Sequence, residues 1–534
     1  MSRIAGPARQ AGSKRLTSIP VDVYMLILDE LLHDVQSSIA ERKAILTRLN
    51  LVCRLFSALV APKLFATMAF LGTPSKGTQV RIRQARKLWM NQLAKGDETA
   101  CMLGAFVREV QFSDWIPLHD LDQYSLSRQD LPRYLQLVPL FPNLRVLHLV
   151  RTPVAPPLLH AVAGLESLDV LCIRHCSFAV PTPAASLPSA PLMRLSKFEV
   201  TAADGVEPYV QALASLAGTP ALRSLSTTEW PIAHAVIAKD TVTALRDLDV
   251  PFLPRAAPTL FAFLNRTPTL VDLSVVGVDG SEALDAGEHV VRCSDALQST
   301  ALPHLKSLRC PLYLLASFLR GQAISRLSLV DPSDWFGPSL SADERLLAPL
   351  KQCDLRELEL PAWILYNTPM ERLAPKLSRL SVCFPIHTFS MPPELIVQEL
   401  CALKHKLPLQ SLELHFVDTV WKLNLPLQHR MIVKHLSRAF PTARKFSLID
   451  AIEWHAESGS SEWRPIVRGR ESVKALLLLE QEAIWDVMQV ADFGGTLLAL
   501  FERDEITPAL ARRLSQERRP GRPQLDGAGG STRL

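Results

Sequence analysis

Long apolar runs are missing from this chain of 534 residues. The best candidate, Phe56 to Leu71, is interrupted by Pro62 and Lys63, so nothing reaches the about 18 apolar residues of a membrane-spanning helix. The first residues are polar and basic with no apolar stretch, so no secretory signal is expected. Aromatic residues are scarce at 7%, against a hydrophobic share of 48% to which Leu contributes much. A core built from one aliphatic residue at regular spacing is what stacked repeats need. A dense cysteine framework is missing too. The nine Cys are odd in number and scattered, as expected of reduced thiols in a cytoplasmic or nuclear protein.

Positive charge is missing where a nucleic-acid-binding domain would carry it. Of the net +5, residues 1–17 hold Arg3, Arg9, Lys14 and Arg15 with no acid, and residues 503–534 hold seven Arg against four acidic groups. The body between these tails is left slightly acidic, which argues against nucleic acid as a partner. Signs of catalysis are thin as well: the chain has no GxSxG elbow, no GxxxxGKS or GxxxxGKT loop, no HExxH and no GxGxxG. His119 beside Asp120 and His148 near Arg151 read as isolated solvated side chains. Asp492-Phe493-Gly494 copies a kinase triplet without its companion loops. Cys172, Arg174, His175 and Cys176 invite a metal, but no second Cys/His pair follows at a regular distance and zinc needs four ligands. No metal, no cofactor and no catalytic residue are therefore expected. A hydrolase or transferase with an unrecognised site is the alternative of another class.

Two patterns remain. In residues 18–70, Val23, Ile27, Leu28 and Leu31 recur at a period near 3.6, behind Ser18 as N-cap and Pro20 near the first turn. Ile45, Leu46, Leu49, Val52, Cys53, Phe56 and Leu59 make a second helical pattern. Pro62 ends or reshapes it, and Leu64, Phe65 and Met68 continue in a third short segment. Three short helices make a module that would be marginal alone.

From residue 107 an apolar residue recurs at positions 1, 4 and 6 of a short segment. The copies start at 107 (VREVQF), 144, 168, 195, 222, 245, 270, 305, 324, 355, 377, 409 and 443 (ARKFSL). Their spacing runs from 19 to 37 residues with a mean of 28, at the long end of the leucine-rich-repeat range. Strand alternation sends positions 4 and 6 inward and positions 3, 5 and 7 to the opposite, concave face. Segments 155–165, 206–217, 256–266 and 391–404 are apolar at helical spacing and are expected on the convex side. The usual Asn or Cys two residues past each strand is replaced by Thr152, Ala203, Trp230, Leu253 and Val278, with Cys176 the exception. That missing ladder predicts an irregular array.

The segment IPVDVYMLILDELL…LTRLNLVCRLFSALVAPKLF resembles the F-box, particularly its divergent form in fungal F-box proteins with repeat domains. The family's Leu-Pro corresponds to Ile19-Pro20 and its acid to Asp22. Its first apolar helix corresponds to Val23, Ile27, Leu28 and Leu31. The Val-Cys-Arg triplet with its aromatic corresponds to Val52, Cys53, Arg54 and Phe56, and the last element to Pro62, Leu64 and Phe65. Phe stands for the usual Trp at 56 and 65, and Tyr24 stands where Leu is common. The resemblance implies that this module docks on the Skp-type adaptor of a cullin–RING ubiquitin ligase while the repeats hold a target protein.

The expected fold is α/β, a leucine-rich-repeat solenoid preceded by a small all-helical F-box-like module. Its parts are a disordered basic lead at 1–17, the module at 18–70 and a helical linker or cap at 71–106. An irregular solenoid at 107–470, a capping helix at 471–502 and a disordered basic tail at 503–534 follow. Adaptor contacts are assigned to Ile19, Pro20, Val23, Ile27, Leu28, Leu31, Leu49, Val52, Cys53, Arg54, Phe56, Leu59, Pro62, Leu64 and Phe65. The concave face is expected to expose Lys197, Glu199, Asp247, Asp249, Asp272, Arg309, Arg326, Glu357, Glu359, Arg379 and Glu413. Asp247, Asp249, Asp272, Glu357 and Glu359 are its target-binding candidates. The expected partners are the adaptor, the cullin core and an unknown protein target, with no membrane. A non-ligase scaffold whose helices serve only as an N-terminal cap is the alternative.

Overall fold

The computed structural model describes residues 20–34, 39–72, 78–116, 125–179, 194–277, 297–298, 300–319, 324–330, 347–368, 370–384, 393–402, 407–416, 425–449, 452–456 and 462–467. The lead at 1–17, Ile19, His119–Asp120, Val278, the helix at 471–502, Asp492–Gly494 and the tail at 503–534 lie outside the described residues. Contacts divide the chain into two compact units, Met1–Asp272 and Leu273–Leu534. Both are mixed α/β, each with a mostly parallel sheet whose strands follow chain order.

Every segment with the 1-4-6 pattern forms a strand. In the first unit, β1 (Thr67–Leu71), β2 (Glu109–Ser113), β3 (Val146–Val150), β5 (Val170–Arg174), β7 (Lys197–Thr201), β8 (Ser224–Thr227) and β9 (Asp247–Phe252) pair in parallel in that order. A small parallel pair, β4 (Pro153–Val154) with β6 (Ser177–Phe178), lies beside them. From β10 (Asp272–Gly277) the second unit continues with β11 (Ser307–Cys310), β12 (Arg326–Leu329), β13 (Glu357–Pro361), β14 (Arg379–Phe384), β15 (Ser411–Phe416) and β16 (Lys445–Ile449). It then turns antiparallel through β17 (Ile452–Ala456) and β18 (Trp463–Val467). That antiparallel end was not anticipated within 107–470, because IEWHA and WRPIV lack the leucine spacing.

The sheet also starts earlier than residue 107. Thr67–Leu71 pairs with β2, so Met68 belongs to a strand and residues 18–70 are not all helical. The short segment TMAFL carries no 1-4-6 signature and reads as a helix remnant after Pro62. Three helices precede it: α1 (Val21–Asp34), α2 (Ile39–Asn50) and α3 (Arg54–Phe65). In the expected linker, α4 (Thr78–Ala94) and α5 (Glu98–Gly104) are helical. The expected linking helices form at Pro156–Ala163, Val210–Ala217, Ala257–Asn265 and Pro393–Ala402. Trp230–Ile237 adds one that was not anticipated.

Inward positions close the core. Leu147, Leu149, Leu171, Ile173, Phe198, Val200, Leu225 and Leu248 are at most 1% exposed, each burial stabilising by about 1.5–3 kcal/mol relative to exposure. Phe70 stacks on Phe112 with ring centres 5.0 Å apart. β1 is the edge strand, and its Thr67 and Ala69 carbonyls accept hydrogen bonds from Lys43 Nζ of α2 and Arg86 of α4.

The strand ends carry a second, polar regularity. Asp114, Arg151, His175 and Ala202 follow β2, β3, β5 and β7 directly and all have left-handed φ, from 45° to 62°. The first three donate their N–H to the last carbonyl of the next strand, at Val150, Arg174 and Thr201 (2.9–3.1 Å). The turn aims the following side chain inward and back. Trp115 Nε1 donates to the Phe70 carbonyl at 3.0 Å, Thr152 Oγ1 lies between the carbonyls of Val150 (2.9 Å) and Phe112 (3.2 Å), and Cys176 Sγ lies 3.3 Å from those of Arg174 and Leu149. Phe70, Phe112 and Leu149 share one register row. The expected missing ladder is thus corrected over these strands: an indole, a hydroxyl and a thiol take one position. Ala203 has no donor, and Thr228 and Glu229 instead accept from the Ala202 and Ala203 amides. Gly72 is required here, since a Cβ would sit 2.4 Å from the Asp114 carbonyl oxygen. Thr152→Val keeps the shape and removes the donor, so it should cost about 1–3 kcal/mol in chemical denaturation; an unchanged midpoint would remove the rung from the account.

Candidate functional site

Two surfaces hold the residues singled out by the sequence, and the first is the helical module. Leu28, Leu46, Leu55, Leu59 and Val60 form its core, with Tyr24, Met25, Leu49 and Leu64 packed against it. Tyr24 meets Phe56 edge-on at 5.7 Å, Lys63 pairs with Asp29 to tie α3 to α1, and Phe65 packs on Trp89 at 6.0 Å. Leu28 and Leu59 were assigned to adaptor contact, but they lie inside the module and are corrected to core positions. Leu49, Phe56, Pro62, Leu64 and Phe65 are half-buried, while Pro20, Cys53 and Arg54 are exposed.

What α1 leaves outside is a stripe. Val23, Ile27 and Leu31 stand one turn apart at i, i+4 and i+8, and they are 40%, 50% and 43% exposed. Leu26 beside them is 69% exposed, and Leu51 and Val52, before α3, are 79% and 62% exposed. Contiguous exposed aliphatics of this kind mark interaction sites.

The second surface is the polar face of the strands. In the first unit the row Gln111, His148, Cys172, Glu199, Ser226 and Asp249 runs across β2 to β9. Glu199 is buried, bonded by both ends of the Arg174 guanidinium and 3.7 Å from Lys197. Burial pushes the Cys172 thiol up to about 11, and the Glu199 carboxylate adds to it. A thiol held neutral at pH 7 is a poor nucleophile. Burial lowers His148, against the pull of Glu109 at 3.7 Å. Cys176 is a structural rung, also pushed up to about 11 by burial.

Asp247 and Asp249 are exposed on β9, and Asp272 is half-buried. Ser226 donates to Asp249 at 3.0 Å. Partial burial raises Asp247 above the usual carboxylate range, and the carboxylate and hydrogen bond of Asp272 raise it further. A carboxyl raised in the fold binds protons more tightly folded than unfolded, so its contribution to stability falls as pH rises through the raised range. Asp247→Asn should match wild type in acid and gain on it progressively toward neutral pH. Denaturation midpoints from pH 3 to 8 check this, and a difference constant with pH would contradict it.

In the second unit charges alternate across the strands. Arg326 pairs with Glu357 at 2.8 Å, Arg379 reaches Glu357 at 4.0 Å and Glu413 at 2.8 Å, and Lys445 reaches Glu413 at 3.4 Å and Glu453 at 2.9 Å. Glu413 is buried within this network. Two expected concave-face acids, Glu199 and Glu413, are therefore committed to internal pairs, and Glu357 is paired as well. Arg309 is exposed and Glu359 is half-exposed. Sequence reading missed Lys43, Arg86 and Trp115 and took Thr152 for a break in the ladder; the first two lacked any signal, while Trp115 and Thr152 share a fixed offset from their strands.

Among the described residues, no helix is long and apolar enough to cross a membrane. Compared with known family models and with curated proteins, the chain matches none.

Proposed function

We propose that the chain is a non-enzymatic recruiting subunit of a Skp–cullin–F-box ubiquitin ligase, acting in the cytoplasm or nucleus. In this reading residues 18–70 are F-box-like and the strands beyond them are leucine-rich repeats. The exposed stripe Val23, Ile27 and Leu31, with Leu51 and Val52, carries the reading. An amphipathic helix presenting one apolar face fits a groove in a partner, and a module with so small a core gains stability by docking. The polar strand face holds the target. Bringing target and ligase together raises their effective concentration, so the chain needs no catalytic group of its own. Purified full-length protein mixed with a purified Skp-type adaptor should elute with it as one complex in size exclusion; separate elution at micromolar concentrations would remove the ligase reading.

A second reading has an observation of its own. Lys43 and Arg86 come from helices and close the carbonyls of the edge strand β1, which is what a cap does. A cap accounts for α2 and α4 but leaves the stripe on α1 without a use.

A further inference from the structure

We infer that the edge where the strands of the first unit begin is a docking line for an extended acidic segment of a partner protein, held at two points by paired arginines. Arg108, Arg145, Asp169, Ser196, Arg223 and Arg246 directly precede β2, β3, β5, β7, β8 and β9. The carbonyl of each accepts the N–H of its counterpart before the next strand and the first N–H of that strand, at 2.7–3.1 Å. These residues therefore stand in one line across the sheet. The inference names a class of target for the repeats, so it rests on the repeats holding one.

The backbone explains the line but not the arginines. Every residue supplies a carbonyl, and Asp169 and Ser196 do this work as well as arginine does. All four arginines are exposed, and among the described residues none of them makes an ion pair. Arg151, Arg174 and Arg266 of the same unit, by contrast, each hold a carboxylate. Between the two pairs the balance reverses, since exposed Glu166 and Asp169 outnumber exposed Arg194. Positive charge is thus set at the two ends of the line.

The spacing selects the ligand. Neighbouring strands lie about 4.8 Å apart, so the centres of the two arginine pairs stand about 19 Å from each other. An extended peptide advances about 3.3 Å per residue, and its alternate side chains share one side. Acids at the first, third, seventh and ninth positions of such a segment would each stand within about 3 Å of an arginine along the line. Each guanidinium can hold one carboxylate through two parallel hydrogen bonds. A nucleic-acid strand fits less well, because it carries a charge at every unit and would set phosphates against Glu166 and Asp169.

The test titrates full-length protein into fluorescein-labelled nine-residue peptides and follows fluorescence anisotropy. The peptide with Glu at those four positions and Ser elsewhere should bind about tenfold tighter than its Gln counterpart, the combined effect of several exposed ion pairs. It should also bind more tightly than a peptide of the same composition with the four Glu clustered at its centre. Arg108→Gln with Arg145→Gln, and Arg223→Gln with Arg246→Gln, should each weaken binding about threefold. Arg255→Gln, exposed beyond the far end of β9, should leave it unchanged. Equal affinity for the Glu and Gln peptides overturns the proposal, as does an affinity that neither double variant lowers or a clustered peptide that binds as tightly. A thymidine nonanucleotide that binds more tightly than the Glu peptide overturns it in favour of nucleic acid. If one double variant loses its fold, the other decides. Adaptor binding is read on the same samples. No peptide binding with the adaptor retained removes this line alone, whereas wild type that binds peptide but no adaptor removes the ligase reading.

Discussion

Ile27→Ser combined with Leu31→Ser is expected to lower affinity for a Skp-type adaptor by about a hundredfold or more, since anchors of an interface typically contribute 2 kcal/mol or more each. Both side chains already face solvent in the free chain, so the thermal midpoint should hold. Leu28→Ala is the contrasting variant. Leu28 is 1% exposed within the module core, and deleting a buried Leu side chain to Ala costs about 2–5 kcal/mol. It should therefore lose adaptor binding together with the far-ultraviolet helix signal of the module. The pattern to look for is dissociation between the two variants: binding lost with fold kept, against binding and fold lost together. Undiminished capture by the Ile27/Leu31 variant would mean that the stripe is not the contact.

Trp115→Ala should be the most damaging single substitution in the first unit, at about 3–5 kcal/mol for the buried indole. Trp115 is 4% exposed, meets Tyr134 edge-on at 6.1 Å and bonds the Phe70 carbonyl. Trp115→Phe separates the contributions. It retains most of the packing and removes the indole's hydrogen bond to the Phe70 carbonyl, so about 0.5–1.5 kcal/mol should go. Urea denaturation followed by circular dichroism measures both, and equal losses for the two variants would assign the whole effect to packing volume.

The leucine spacing made the strands legible because burial on one face of a parallel sheet imposes the same inward residues at every step. Every 1-4-6 segment became a strand, and the helices at 155–165, 206–217, 256–266 and 391–404 followed from ordinary amphipathic periodicity. What was not legible depends on contacts distant in sequence. Thr67–Leu71 is a strand because β2, some 40 residues further on, offers a partner, and nothing in TMAFL announces it. Leu28 and Ile27 look alike in a period count, and only the packing of α3 decides which of them is inside. Glu199 and Glu413 alternate like solvated residues yet are drawn in by Arg174 and Arg379. The polar rungs were hidden because one geometric job is shared by Trp, Thr and Cys, three residues that no single pattern groups together.

The two cations on β1 also bear on how the protein behaves in a crowded solution. A strand whose outer carbonyls are open is a template for another chain, and proteins guard such edges against aggregation. Lys43 and Arg86 occupy those acceptors, and burial lowers Lys43 to about 8. Mildly alkaline conditions therefore begin to discharge one of the two guards. In the second unit, β18 carries Pro465, which has no N–H to offer a further strand. Damage to α2 or α4 would thus surface first as precipitation of otherwise folded protein.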